Sequence, residues 1–197
     1  MLKYLITDPN YYTDEPIQFK KKLNTAFEKH SIDLACFRDK ISTNSEELAI
    51  FFLDICKEYN LEKTFLNGDI ELAKKLGFFG VQLPSRKIDQ IVFAKEKGLH
   101  VIASCHNNDE IEQSIKNGAD MITYSPIFQV LEGYEKDNKG NVVTFKKDNP
   151  KGIDHLQKIV TKYDIPIIAL GGIITSDHIE KIKMTNAEGF ASIRYFL

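Results

Sequence analysis

Short β-rich runs alternate with amphipathic helical patterns along the whole of this 197-residue chain. The strand candidates are Tyr4–Thr7, Asp33–Arg38, Thr64–Asn67, Gly80–Leu83, His100–Ser104, Met121–Tyr124, Pro166–Leu170 and Gly189–Ile193. Helical patterns lie between them near residues 16–30, 45–59, 69–76, 87–97, 108–117, 152–163 and 175–183. Strands separated by helices cannot pair as hairpins, so the pairing is parallel. A closed (β/α)8 TIM barrel is the leading architecture, with residues 1–197 as a single domain. An open doubly wound sheet satisfies the same alternation. No early Gly-x-Gly-x-x-Gly turn supports a dinucleotide-binding version of it.

Two places break the rhythm. Residues 129–150 are polar and dotted with glycine, between the sixth strand and its helix. A long loop there reads as a lid, a binding loop or disorder. The last strand runs to within a few residues of Leu197, so the final helix of an ordinary barrel is expected to be lacking. The strand's outer face then needs another cover. The apolar tail Ile193, Tyr195, Phe196 and Leu197 is one candidate, and a second copy of the chain in a homodimer is the other.

Composition excludes several classes of partner. Hydrophobic residues make up 43% and charged residues 27%, which suits an ordinary packed core. The net charge is −2, and no basic stripe interleaved with aromatics points to nucleic acid. No run approaches the roughly 18 apolar residues that span a bilayer. Cys36, Cys56 and Cys105 are far apart and fit a reducing, cytoplasmic setting better than a disulfide framework or a zinc site.

Candidate site residues gather at the C-terminal ends of the strands. Alternation places Cys36, Arg38 and Lys40 on one inward face, with Asp39 turned away. Two cations at the mouth suit a phosphate or diphosphate, or else pair with neighbouring carboxylates. Asn67 closes the third strand, and Ser104 and His106 share the mouth-facing side of the fifth. His106 is a candidate acid–base group or a helix cap. The run Ile167-Ile168-Ala169-Leu170-Gly171-Gly172-Ile173 sends an apolar strand into two glycines. Glycines there let bare N–H groups approach an anion, and phosphates often sit on the loops after strands seven and eight of such barrels. Arg194 follows the eighth strand, and Asp8 is the main carboxylate at a strand end.

The chain resembles the thiamin phosphate synthase and TenI family over Lys3 to Ile193. The pieces that carry the resemblance are Phe37-Arg38-Asp39-Lys40, Leu66-Asn67-Gly68-Asp69-Ile70-Glu71-Leu72-Ala73, Gly80-Val81-Gln82-Leu83, Ala103-Ser104-Cys105-His106-Asn107, Gly118-Ala119-Asp120, Tyr124-Ser125-Pro126-Ile127-Phe128 and Ala169-Leu170-Gly171-Gly172-Ile173. The synthase joins a pyrimidine diphosphate to a thiazole phosphate, releases pyrophosphate and uses Mg²⁺. The resemblance implies that Arg38, Lys40 and Asn67 hold the diphosphate and that Ser104 lines the pyrimidine pocket. It implies that Gly171 and Gly172 hold the thiazole phosphate.

The departures fall on the chemistry. The family's Gln-x-Arg-x-Lys reads Cys36-Phe37-Arg38-Asp39-Lys40, and its Asn-Asp pair reads Asn67-Gly68. Arg86 stands at the second metal carboxylate, and Gln129-Val130-Leu131-Glu132 does not match the family's Thr-x-Thr-Lys. Pro126 occupies the place of the histidine that TenI tautomerases use. The resemblance implies Mg²⁺, but its carboxylate ligands are lost. The function expected is therefore a barrel that binds phosphorylated thiazole and pyrimidine intermediates, either joining them or acting as a TenI-like, non-catalytic or regulatory binder. A sugar-phosphate isomerase with His106 as its acid–base group is a third reading.

Overall fold

The structure, a computed structural model, describes residues 1–130, 132–136, 140–146 and 149–197. Its strands are β1 (Leu2–Ile6), β2 (Leu34–Phe37), β3 (Thr64–Asn67), β4 (Gly80–Leu83), β5 (His100–Cys105), β6 (Met121–Tyr124), β7 (Glu132–Lys136), β8 (Val142–Lys146), β9 (Ile167–Leu170) and β10 (Gly189–Ser192). Its helices are α1 (Pro9–Tyr12), α2 (Pro16–Lys29), α3 (Ser45–Glu58), α4 (Ile70–Leu76), α5 (Ile91–Glu96), α6 (Asn108–Lys116), α7 (Ile153–Lys162) and α8 (Ser176–Lys183). Eight strands close into a parallel barrel in the order β1-β10-β9-β6-β5-β4-β3-β2. The fold is thus the expected (β/α)8 barrel.

Local sequence explains where the helices start. Glu15 caps α2 by accepting from the Ile17 and Gln18 N–H groups, and Pro16 supplies a fixed φ in the first turn. Asp69, Asn107 and Thr175 cap α4, α6 and α8 in the same way. Asp69 and Asn107 sit two residues past the ends of β3 and β5, so these caps also shape the barrel's mouth.

Two layers of core follow from the alternation along the strands. Inward side chains form one buried cluster that includes Tyr4, Ile6, Leu34, Cys36, Phe65, Ile102, Ile168 and Ala191. Outward side chains join the helices in a second, larger cluster that includes Leu5, Phe37, Leu66, Val81, Ala103 and Phe190. The interior is a packed plug rather than a pore.

Three expectations change. The long loop over 129–150 carries an antiparallel hairpin, with Glu132 opposite Lys146 and Lys136 opposite Val142. Leu131, together with 137–139 and 147–148, lies outside the described residues. The helix expected over 87–97 is split: a 3-10 turn spans Ser85–Gln90, and α5 begins only at Ile91. The short helix α1, nucleated by Asp8 and Pro9, was not foreseen because four residues carry no periodicity.

The outer face of β10 is covered by the chain's own tail. Phe196 is fully buried and stacks on Phe190, with ring centroids 5.8 Å apart. Tyr195 meets Phe190 edge-on at 5.4 Å, and His30 packs against both tail rings. Phe196→Ala should therefore cost about 3 kcal/mol or more, read as a lower urea midpoint. Burial, with help from Lys3 and Lys29, holds the His30 imidazole below its ordinary value. The unfolded chain then binds the proton more readily, so stability should fall as pH drops below about 6.5. His30→Gln should flatten that part of the urea-midpoint-versus-pH curve, and an unchanged slope would contradict the assignment.

Candidate functional site

At the centre of the barrel, a polar network rests on the apolar plug. The Tyr4 hydroxyl donates to Gln82 Oε1 at 2.7 Å. Gln82 Nε2 donates to Ser104 Oγ at 3.1 Å and to Thr123 Oγ1 at 3.4 Å. Gln82 is only 3% exposed, so its amide is fully committed to protein partners. Burial, with Cys36 close by, pushes the Tyr4 hydroxyl well up, and burial pushes the Cys36 thiol up to about 12. Both stay protonated at neutral pH, which rules out Cys36 as a ready thiolate nucleophile. Gln82 was missed in the sequence, although a lone amide at an inward position of Gly80-Val81-Gln82-Leu83 was the signal for it.

Ser104 lies at the top of this network, where it can also face a ligand. His106 lies one alternation further on. Its Nδ1 is 3.1 Å from the Ser125 carbonyl and 3.2 Å from Ser125 Oγ. A carbonyl only accepts, so Nδ1 carries the hydrogen and Nε2 is left as the acceptor. The backbone N–H of His106 donates to Glu110 Oε2. His106 is thus tied to the loop after β6, and an acid–base role falls to Nε2 alone.

Arg38 and Lys40 have different surroundings. Arg38 Nη1 donates to Asp8 Oδ2 in a close ion pair. The Asp8 carboxylate is 3% exposed and its other oxygen caps α1 through the Asn10 N–H. Arg38 is therefore the counter-ion of a buried carboxylate, with further N–H donors on its guanidinium.

Past Phe37 the strand ends, so strict alternation no longer holds. Asp39 turns toward the mouth rather than away from it, and lines a cavity of about 260 Å³ with Lys40, Asn67, Gly68, Asp69, Pro84, Arg86 and Lys87. This cavity lies past the C-terminal ends of β2, β3 and β4. Lys87 was not foreseen. Helical geometry breaks at this residue (φ −120°, ψ 19°), and its ammonium donates to the Gly68 carbonyl at 2.6 Å.

The fit of Mg²⁺ can be judged from the donors. Asp39 Oδ1 accepts from the Ile41 and Ser42 N–H groups, both at 2.9 Å. Asp69 Oδ1 accepts from the Leu72 N–H at 2.9 Å, and Asn67 Nδ2 donates to the Gln82 carbonyl. Both carboxylates are thus partly spent on turns and caps, while Lys40, Arg86 and Lys87 line the same space. Among the described residues no group of three metal-ligating side chains is found. A Mg²⁺ ion would have to draw on Asp39, Asp69 and the Asn67 amide together with substrate phosphate oxygens, in a space that three cations also line.

The Gly171-Gly172 turn has backbone angles that demand glycine, with φ of 99° and 69°. A Cβ at Gly171 would stand 2.8 Å from the Pro126 Cα, and one at Gly172 2.7 Å from the Gln129 carbonyl oxygen. The turn is therefore packed against the segment after β6. Phe128 N–H donates to the Gly171 carbonyl and Ile127 N–H to the Leu170 carbonyl. In these bonds the turn supplies acceptors, and its N–H groups are not used. Arg194 is exposed and leans over the Tyr11 ring, 6.0 Å from its centroid. That contact places it toward α1, on the β1 side of the mouth.

Fold and site together define a (β/α)8 barrel whose mouth is lined by cations and bare backbone. A family model described as thiamine monophosphate synthase matches residues 3–196, and the chain belongs to that family. A putative thiamine-phosphate synthase 2 from Aquifex aeolicus is 27% identical over 197 residues, covering 98% of this chain and 96% of the relative. A thiamine-phosphate synthase from Bacillus cereus is 33% identical over 177 residues, covering 86% of this chain and 72% of the relative. The solved thiamine phosphate pyrophosphorylase from Pyrococcus furiosus superposes with a TM-score of 0.75 at 24% identity, covering 98% of this chain and 85% of that one. That superposition shows the fold. No helix among the described residues is long and apolar enough to cross a membrane.

The Asp8–Arg38 pair sets an expectation for mutants. Arg38→Ala takes the counter-ion from a buried carboxylate and should cost about 3 kcal/mol of stability, whereas Lys40→Ala should leave the unfolding midpoint within about 0.5 kcal/mol of wild type. Equal and small losses in both would mean that the ion pair carries no structural weight.

Proposed function

We propose that this barrel binds the phosphorylated thiazole and pyrimidine intermediates of thiamin phosphate formation at its mouth and joins them with release of pyrophosphate. The observation that carries this reading is the pairing of two anion-friendly features on one face. The first is the cation-lined cavity of Lys40, Arg86 and Lys87, with Asn67 beside it. The second is the Gly171-Gly172 turn, whose N–H groups take no part in the bonds that tie its carbonyls to the segment after β6. Family membership supplies the substrate class, through relatives named thiamine-phosphate synthase.

Each residue then has a task. Gly171 and Gly172 hold the thiazole phosphate through N–H groups. Lys40 and Asn67 hold the diphosphate, with Arg38 beside them. Ser104, aligned by Gln82, faces the pyrimidine. Arg194 and His106 rim the pocket. The protein acts in the cytoplasm as one catalytic unit spanning the chain.

A second reading is a TenI-like binder that has kept its grip on phosphorylated ligands and lost the transfer chemistry. Gly68 and Arg86, at the positions of the metal carboxylates, favour it. Calorimetric titration with thiazole phosphate, followed by an assay for thiamin phosphate, separates the two. Binding with turnover is the expected result. Binding without turnover supports the second reading, and no binding of thiazole phosphate overturns both. Gly172→Ala should lower thiazole phosphate affinity at least tenfold and destabilise the fold by about 1 kcal/mol or more, because its φ is positive and its Cβ has no room.

A further inference from the structure

We infer that Ser192 couples the C-terminal tail to the Gly171-Gly172 turn, so that tail docking and thiazole phosphate binding strengthen one another. The inference rests on the reading above and names the positioning residue of one of its two subsites. Ser192 ends β10 and is only 5% exposed. Its Oγ donates to the Ile173 carbonyl at 2.6 Å and accepts from the Tyr195 N–H at 3.1 Å. A carbonyl only accepts and an N–H only donates, so the direction of both bonds is fixed. One hydroxyl thus joins the residue after the glycine turn to the first ring of the tail.

The turn behaves as a set of rigid plates. A trans peptide is planar, so fixing the direction of its C=O fixes its N–H on the opposite side. The Leu170 carbonyl accepts from the Ile127 N–H, which aims the Gly171 N–H away from the segment after β6. The Gly171 carbonyl accepts from the Phe128 N–H and so aims the Gly172 N–H. Further on, one plate joins Ile173 to Ile174. Ser192 holds its carbonyl, and His178 Nδ1 accepts from its N–H at 3.4 Å. The His178 ring lies flat on Phe128, with centroids 4.0 Å apart. The turn is therefore braced by the segment after β6 on one side and by β10 on the other. Two glycines at positive φ have wide freedom of their own, so these braces keep the N–H groups aimed.

The β10 brace depends on the tail. Phe196 is buried against Phe190, and Tyr195 meets both rings edge-on. Docking of those rings holds the Tyr195 N–H against Ser192. Undocking removes that donor and frees the Ser192 side chain, which loosens its bond to Ile173. Arg194 lies inside the same short turn, so docking also sets where its guanidinium stands over Tyr11. Coupling of this kind is reciprocal: a ligand on the turn tightens the tail by the factor that the docked tail tightens the ligand.

The test is amide hydrogen exchange of the full chain by NMR, with and without saturating thiazole phosphate. The reference is the Asn117 amide, which bonds to the Gln113 carbonyl at the far end of α6. Thiazole phosphate should slow exchange at Tyr195 about fivefold or more and leave Asn117 unchanged. Ser192→Ala, checked for folding by circular dichroism, should weaken thiazole phosphate by a similar factor and abolish the protection at Tyr195. Phe196→Ala, which leaves every residue of the turn in place, should weaken the ligand likewise. The wild-type comparison needs no variant, so it decides even where Ser192→Ala does not fold. Binding that protects Tyr195 no more than Asn117, or wild-type affinity in Ser192→Ala, overturns the inference and leaves the broader reading standing. No binding of thiazole phosphate by the wild-type chain overturns both.

Discussion

Closing eight parallel strands into a ring removes every free edge, but it forces half of the strand side chains into a narrow interior. That interior must be filled, because a void costs both burial and contacts. Tyr4, Leu34, Phe65, Ile102 and Ile168 fill it from below. Nearer the C-terminal ends the filling turns polar, and the Tyr4–Gln82–Ser104–Thr123 network closes the plug with its hydrogen bonds satisfied. Everything above that floor is mouth. The plug decides how deep a ligand can sit, and the loops decide what it meets.

Those loops are positioned by helix caps and by one buried charge. Asp8 joins the end of β1 to the start of α1 and to Arg38 at the end of β2. Removing Arg38 takes the counter-ion from a carboxylate that is only 3% exposed. Asp39 and Asp69 shape the next two loops through N–H groups. The carboxylates of this cavity thus serve as structural braces, and Lys40, Arg86 and Lys87 line it beside them. The Gly171-Gly172 turn completes the face by bringing bare backbone close to the segment after β6.

Much of this was legible in the sequence because the signals were periodic. All eight barrel strands were placed to within a residue or two, since each is a short apolar run between capped helices. Lys40 and Asn67 line the cavity past β2–β4, and Gly171 and Gly172 form a turn, as strand ends read from the sequence suggest. What could not be read depended on contacts between distant residues. Asp8 meets Arg38 across thirty positions, and no local pattern announces that pair. Asp39 was misplaced because alternation was extended past the point where β2 stops. Lys87 was missed because its inward swing arises from a backbone break inside a 3-10 turn. The hairpin of β7 and β8 was read as a loop because its strands pair with each other, outside the barrel sheet whose alternation was followed.

The central claim is that one barrel mouth holds two separate phosphate seats, one of side-chain cations and one of backbone N–H groups. A crystal structure of the protein grown with pyrophosphate and thiazole phosphate tests it most directly. The account expects pyrophosphate beside Lys40 and Asn67, and the thiazole phosphate within hydrogen-bond reach of the Gly172 N–H. Both anions elsewhere on the surface, with the mouth holding only water, would contradict it.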